Sequence, residues 1–324
     1  MKKLSLLSAV VAATVVALPA ASQTVWNMAS DYPDSSYMTR NIKQFIQDFE
    51  AGTNGRYAVK LHNNQSLFKI TEIQRAVATG QVELGEIHAA SHANEDPMYV
   101  LDGVPFLADD YDKAKRLWHA QRPYFEKLLA KKNIRILYAA FWPLQGFFTK
   151  EPVAQMADLK GLKMRIYSDA TRQMATRLGA QPIMLPFSDI PQAFGTGLIN
   201  SLFTSPQTGI DIQAWDFSKH FNAVGAMRTK NFVAINEKVF QAMSPADQKI
   251  LLDAAAKAEE RGIKLSDESG REQLKILAEK GMKVTQASPE FLKELQDIGK
   301  AMIKEWSDAA SPEHRAVLEA YQKQ

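Results

Sequence analysis

The chain has 324 residues, with 39 lysines and arginines against 36 acids and a formal charge of +3, two units of which come from Lys2 and Lys3. About 300 residues bury ample surface for a core and usually divide into two domains. There is no cysteine, which excludes disulfides, thiolate metal sites, a cysteine nucleophile and a lipidated N-terminal cysteine. Basic and acidic residues are interspersed rather than blocked, so no nucleic-acid partner and no polybasic membrane surface is expected.

Lys2 and Lys3 precede an uncharged apolar run, Leu4 to Leu18, and the small residues of Pro19-Ala20-Ala21-Ser22 follow. This is the pattern of an export signal, residues 1–22, cleaved after Ser22. The run is too short to span a bilayer comfortably, and no second stretch of about eighteen apolar residues follows. The mature chain is therefore expected to be soluble, with its stability supplied by its core.

Thr24 to Met28 reads as a strand. Ser35 or Ser36 caps a helix whose Met38, Ile42, Phe45, Ile46 and Phe49 form one apolar stripe. Tyr57 to Leu61 is a strand, and Ile73, Ala76 and Val77 mark a short helix closed by Gly80. Val82 to Ile87 is a strand. Asp110 to Leu129 reads as helix, with a break expected just before Pro123. The strand Ile134 to Ala140 follows. A second series begins near Pro152: strand Lys163 to Tyr167, a helix capped by Ser168 and ending at Gly179, and strand Gln181 to Leu185. A helix from Ser188 to about Gly195 or Gly197 and strand Leu198 to Phe203 complete it. Such alternation predicts an α/β fold with parallel sheets and helices on both faces. Ser244-Pro245 opens a helix that continues to about Glu279, roughly 50 Å, interrupted by Gly262 and Gly270 and long enough to lie across two domains. A strand, Lys283 to Thr285, and two helices finish the chain.

Several short patterns then occur in a telling order. Thr53-Asn54-Gly55-Arg56 ends the first helix. Glu72-Ile73 precedes Ala76-Val77-Ala78-Thr79-Gly80-Gln81-Val82-Glu83, and Val104-Pro105-Phe106-Leu107 follows. The most specific is Asp158-Leu159-Lys160-Gly161-Leu162-Lys163-Met164-Arg165, with Leu178-Gly179-Ala180 and Pro186-Phe187-Ser188-Asp189 beyond it. In this order and spacing, from about Tyr32 to past Lys283, the chain resembles the extracytoplasmic solute receptors of tripartite ATP-independent periplasmic (TRAP) transporters. The resemblance implies a two-lobed periplasmic binding protein fold with a central cleft and a long helix spanning both lobes. Residues 23–142 and 231–272 would form lobe I, and 143–230 and 273–324 lobe II. Crossings are expected near Phe141 to Phe148, near Lys230 and midway along the long helix. It also implies a monomer that captures a small organic anion in the periplasm and delivers it to two integral membrane subunits.

Arg165 ends a strand, where ligands of open α/β sheets bind. The resemblance implies that its guanidinium grips a substrate carboxylate, and the planar fork suits that task. Ser168 stands at a helix cap, where it either meets the ligand or caps alone. Phe187 matches a position that packs on the ligand, although core packing would serve equally well there. Phe203 and Thr204 replace polar residues of the family pattern, making that wall more apolar. Gln145, within Trp142-Pro143-Leu144-Gln145-Gly146-Phe147-Phe148, stands where many relatives place a second arginine. Asp31, His88 and Ser91 are the expected pocket residues of the first lobe. One firm cation among neutral polar and aromatic groups suggests a small monoanion, carboxylate or sulfonate, rather than a dicarboxylate.

No Gly-rich phosphate loop, Gly-x-Ser-x-Gly elbow or His-Glu-x-x-His pair occurs, so neither an enzyme nor a cofactor is expected. His88-x-x-x-His92 leaves a strand for a loop, which makes a metal pair the weaker reading. A periplasmic sensor feeding a membrane kinase would use the same cleft, and the residues do not separate it from a transport receptor.

Overall fold

The computed structural model describes residues 23–324; the expected export signal, residues 1–22, lies outside the described residues. In chain order the first half contains β1 (Thr24–Ala29), α1 (Tyr37–Gly52), β2 (Tyr57–His62), α2 (Ile70–Thr79), β3 (Leu84–His88), α3 (Tyr111–Ala130) and β4 (Ile134–Phe141). Then come β5 (Gly146–Thr149), β6 (Lys163–Ile166), α4 (Asp169–Arg177), β7 (Gln181–Met184), α5 (Ile190–Gly195), β8 (Ser201–Thr204), α6 (Pro206–Asp211) and β9 (His220–Ala223). The remainder is β10 (Lys230–Asn236), α7 (Glu237–Gln241), α8 (Pro245–Glu279), β11 (Lys283–Gln286), α9 (Pro289–Ala309) and α10 (Pro312–Gln322).

The strands form two sheets, ordered β2-β1-β3-β10-β4 and β11-β9-β5-β8-β6-β7. Both are mixed, not parallel as the alternation predicts. In the first sheet β10 runs antiparallel to β3 and β4; in the second β5 runs antiparallel to β8 and β9. The reason is connectivity. β4 hands the chain directly to β5 of the other lobe and β10 brings it back, so each sheet receives one strand without a crossover helix, and that strand lies against the local direction.

The long helix α8 is 35 residues and continuous through Gly262 and Gly270. It packs on α1 and β4 of one lobe and on α6 and β11 of the other, a third connection between them. Its close approach to α1 passes Gly262, where an added Cβ would stand 2.9 Å from the Asn41 amide nitrogen. Asn41 uses that nitrogen to donate to the Ala258 carbonyl at 2.9 Å. Serine caps followed by proline open α6, α8, α9 and α10, each hydroxyl satisfying an otherwise free N–H of the first turn.

α3 runs unbroken through Pro123, against the expected break. Trp118 before the proline and Phe125 and Leu129 after it are all buried in one core, so packing on both sides outweighs the lost hydrogen bond. Where β10 begins, Lys230 is buried and paired with Asp102, and it donates to Gln121 of α3 at 2.7 Å. Among the described residues no helix is long and apolar enough to cross a membrane.

Gly299 of α9 lies against the loop that precedes α3, and a Cβ there would meet the Pro105 carbonyl oxygen at 2.0 Å. Gly299→Ala is expected to destabilise the protein by about 1–3 kcal/mol, read from urea unfolding; an unchanged midpoint would contradict this packing.

Candidate ligand-binding cleft

A cavity of about 540 Å³ opens between the two sheets, lined from both lobes. Its floor on the second lobe follows from strand geometry. In an extended segment residues two apart share a face, and Arg165 and Tyr167, at the end of β6, both line the cavity. Arg165 is only 5% exposed. Its Nε donates to the Leu185 carbonyl at 3.0 Å and its guanidinium lies 5.4 Å from the Tyr167 ring centroid. Among the described residues it has no ion-pair partner, so the terminal nitrogens of the fork remain for a ligand. Burial lowers its pKa to about 10, while Tyr167, Tyr32 and Asp31 act in the opposite direction; the group stays cationic at neutral pH.

Ser168 lines the cavity and also caps α4, its hydroxyl accepting from the Thr171 N–H at 3.2 Å. Gln145 lines it too, but both ends of its amide are engaged by the protein. Its Oε1 accepts from the Tyr167 hydroxyl at 2.6 Å, and its Nε2 donates to Thr229 at 3.2 Å. Gln145 thereby ties the outgoing crossing to the returning one.

His88 ends β3, with Nδ1 2.6 Å from the Ser91 hydroxyl and its ring 5.7 Å from that of Tyr167 across the cleft. Burial first, then the charges of Arg165 and His92, push its pKa down to about 3. The imidazole is a neutral hydrogen-bonding group. Ser91 and Phe187 line the same space, Phe187 standing edge-on to Tyr32 at 5.8 Å. His92 turns away to Glu95, 2.8 Å from Nδ1.

Two of the expected wall residues stand elsewhere. Thr204 faces the cavity, but Phe203 is fully buried against Phe147 at 4.9 Å. Neighbours on β8 point to opposite faces, so only one of the two can serve the wall. Asp31 is 1% exposed and lies behind the lining rather than in it; the next residue, Tyr32, takes the inward place. Tyr32 and Trp142 form an aromatic wall, their rings 5.0 Å apart at 70°. Neither was singled out from the sequence, nor were Tyr167, Asn94, Thr208 and Thr229, which also line the cavity. The two-residue period from Arg165 is the signal for Tyr167; no pattern in the sequence marks Trp142.

Two α/β lobes, joined by crossings that include β4–β5, β10 and α8, around a cleft that carries a desolvated cation, define a two-lobed solute-binding fold. The chain belongs to the bacterial extracellular solute-binding proteins, family 7 (DctP), whose model matches residues 28–309. That family is one of solute-binding proteins, not of enzymes, and its members work outside the cytoplasm, in the periplasm. The chain is similar to DctP6 of Bordetella pertussis, an extracytoplasmic solute receptor binding pyroglutamic acid: 40% identity, 93% of this chain and 100% of that one covered, TM-score 0.90. DctP7 of the same organism, also a receptor binding pyroglutamic acid, is 40% identical over 92% and 99%, with TM-score 0.89. A TRAP solute-binding protein specific for pyroglutamate, from a marine metagenome, is 34% identical over 93% and 99%, with TM-score 0.89.

The neutral imidazole has a consequence for stability. The unfolded chain takes up a proton on His88 near pH 6.5 and the folded chain only near 3, so stability contributed through this residue rises with pH across that window. Relative to wild type, ligand-free His88→Gln protein is expected to be about 2 kcal/mol better placed at pH 5 than at pH 8. Urea unfolding at the two pH values measures this; an equal difference at both would contradict a buried neutral imidazole.

Proposed function

We propose that the cleft captures a small organic monocarboxylate, of which a five-membered lactam acid such as pyroglutamate is the model, and that the protein delivers it unchanged to the membrane subunits of a TRAP transporter. The observation that carries this reading is Arg165. Among the described residues it is the one lysine or arginine lining the cavity, it is desolvated, and the end of its fork is free. A carboxylate matches the fork with two parallel, charge-assisted hydrogen bonds. A dicarboxylate would bring a second negative charge to a cavity whose remaining lining groups are the carboxyl of Asp169, a neutral imidazole, amides, hydroxyls and apolar and aromatic faces, with no second cation among the described residues. The pyroglutamate carried by three relatives at 34–40% identity supports a ligand of this size and charge.

Each end of such a ligand would have its own wall. Arg165 takes the carboxylate from the second lobe, while His88 and Ser91 offer hydrogen bonds from the first, and Tyr32, Trp142 and Phe187 cover the ring faces. A ligand touching both lobes favours the closed arrangement by its differential affinity for it, and exclusion of water strengthens the pairing at Arg165. The family is one of solute-binding proteins, which supports a solute that leaves as it arrived. No observation favours a sensor over a transport receptor.

In a thermal-shift and calorimetry panel of organic acids, L-pyroglutamate is expected to stabilise the protein. Arg165→Ala should weaken its binding by about 2–5 kcal/mol. Equal or tighter binding of C4-dicarboxylates would contradict the monoanion reading.

A further inference from the structure

Behind the Tyr32–Trp142 wall lie two carboxyl groups that ligand contact alone does not explain. Asp31 and Glu86 are each about 1% exposed. Glu86, on β3, is held on both oxygens: the Ser30 hydroxyl donates to Oε2 at 2.6 Å and the Asn231 amide donates to Oε1 at 2.9 Å. Asn231 passes the connection on, its Oδ1 accepting from the Trp142 indole N–H at 3.0 Å. Asp31 is different. Among the described residues no side-chain donor reaches either of its oxygens, and the Ile70 N–H at the start of α2 is the one backbone group directed at it. A buried, ionised and unpartnered carboxylate costs several kcal/mol (about 3–5 by analogy with broken buried pairs), so something must compensate it or it must carry a proton.

The groups that face Asp31 decide between these. Glu86 from β3 opposes its charge; Arg165 from β6 and the Ile70 N–H at the start of α2 favour it; the adjoining Tyr32 is a neutral phenol, its own ionisation suppressed by burial, by Glu86 and by Asp31. Burial first, then Glu86, push Asp31 up to about 7, and burial pushes Glu86 up to about 7. Two buried carboxyls that repel each other do not both ionise near neutrality. After the Ile70 N–H, Arg165 is the further group that favours the ionised form of Asp31, and its free end faces the cavity.

We propose that capture of an anion at Arg165 is coupled to uptake of one proton by the Asp31–Glu86 pair. The proposal rests on the reading of Arg165 as the anion-binding group. When a ligand carboxylate pairs with the guanidinium, Asp31 loses part of its compensation and the buried carboxyls behind the wall meet a further negative charge, so the pair takes a proton from solvent. By linkage the effect is reciprocal: the protonated pair holds the anion more tightly than the ionised pair. The receptor thus carries anion and proton together, and Asp31 acts as a positioning residue for charge, through Arg165, without touching the solute.

The sign is fixed. Affinity is expected to be highest below neutrality and to weaken as pH rises through the pair's titration range, by up to about tenfold per pH unit for one proton. Calorimetry with L-pyroglutamate at pH 6, 7, 8 and 9, each in two buffers of different ionisation heat, reads both affinity and proton uptake. Wild type should take up close to one proton above pH 7, and Asp31→Asn and Glu86→Gln should each reduce the uptake and flatten the slope. Binding that is intact but pH-independent, with no proton exchanged, overturns the coupling and leaves the anion site standing. Binding absent at every pH overturns the site assignment and the coupling with it. Should Asp31→Asn fail to fold, the wild-type proton count alone decides.

Discussion

A guanidinium taken out of water needs an anion, and much of this molecule is arranged around that requirement. Arg165 is buried, tied at Nε to the Leu185 carbonyl and backed by the Tyr167 ring, yet it has no ion-pair partner among the described residues. Desolvation of a lone charge is unfavourable, and the Leu185 carbonyl and the Tyr167 ring hold the side chain in place. On the proposed reading, the stability given up there becomes affinity when a carboxylate arrives. A flexible or solvated lysine at the same position would hold its charge in water and orient nothing.

The remaining architecture positions other groups opposite that charge. β4 passes straight into β5, β10 returns, α8 lies along both lobes and α10 packs back on α3, so the two halves share several connections but keep separate sheets. Gln145 links the crossings at Tyr167 and Thr229, and Lys230 is anchored to Asp102 and Gln121 where the return strand begins. These ties fix where the lobes meet while leaving the cleft walls to the ligand. On the first lobe a neutral imidazole and a hydroxyl face the cavity, and the carboxyls that could repel an anion are withdrawn behind aromatic rings.

Much of this was legible in the sequence, and the exceptions have physical causes. The apolar stripe of α1, the Ser-Pro start of α8 and the capped helix after Arg165 are local signals, and the structure contains all three elements. The strands β5, β9 and β10 are not marked by local pattern, because their partners lie far along the chain and all the residues of each are buried. Pro123 was read as a break because local sterics say so, and tertiary packing overrode it. Within the site, Arg165, Ser168, His88, Ser91, Gln145, Phe187 and Thr204 all face one cavity, whereas Phe203 and Asp31 stand behind its wall. A one-residue difference in strand or loop direction separates Phe203 from Thr204 and Asp31 from Tyr32, and no composition or motif reports that direction.

The central claim is that a single fixed cation recognises a single carboxylate. The most direct measurement compares L-pyroglutamate with its neutral carboxamide, by calorimetry, on wild type and on Arg165→Ala. Wild type is expected to prefer the acid by about a hundredfold or more, equivalent to roughly 2.7 kcal/mol, and the preference should vanish in the variant. Acid and amide binding equally well to wild type, or an acid preference that survives without Arg165, would contradict the account.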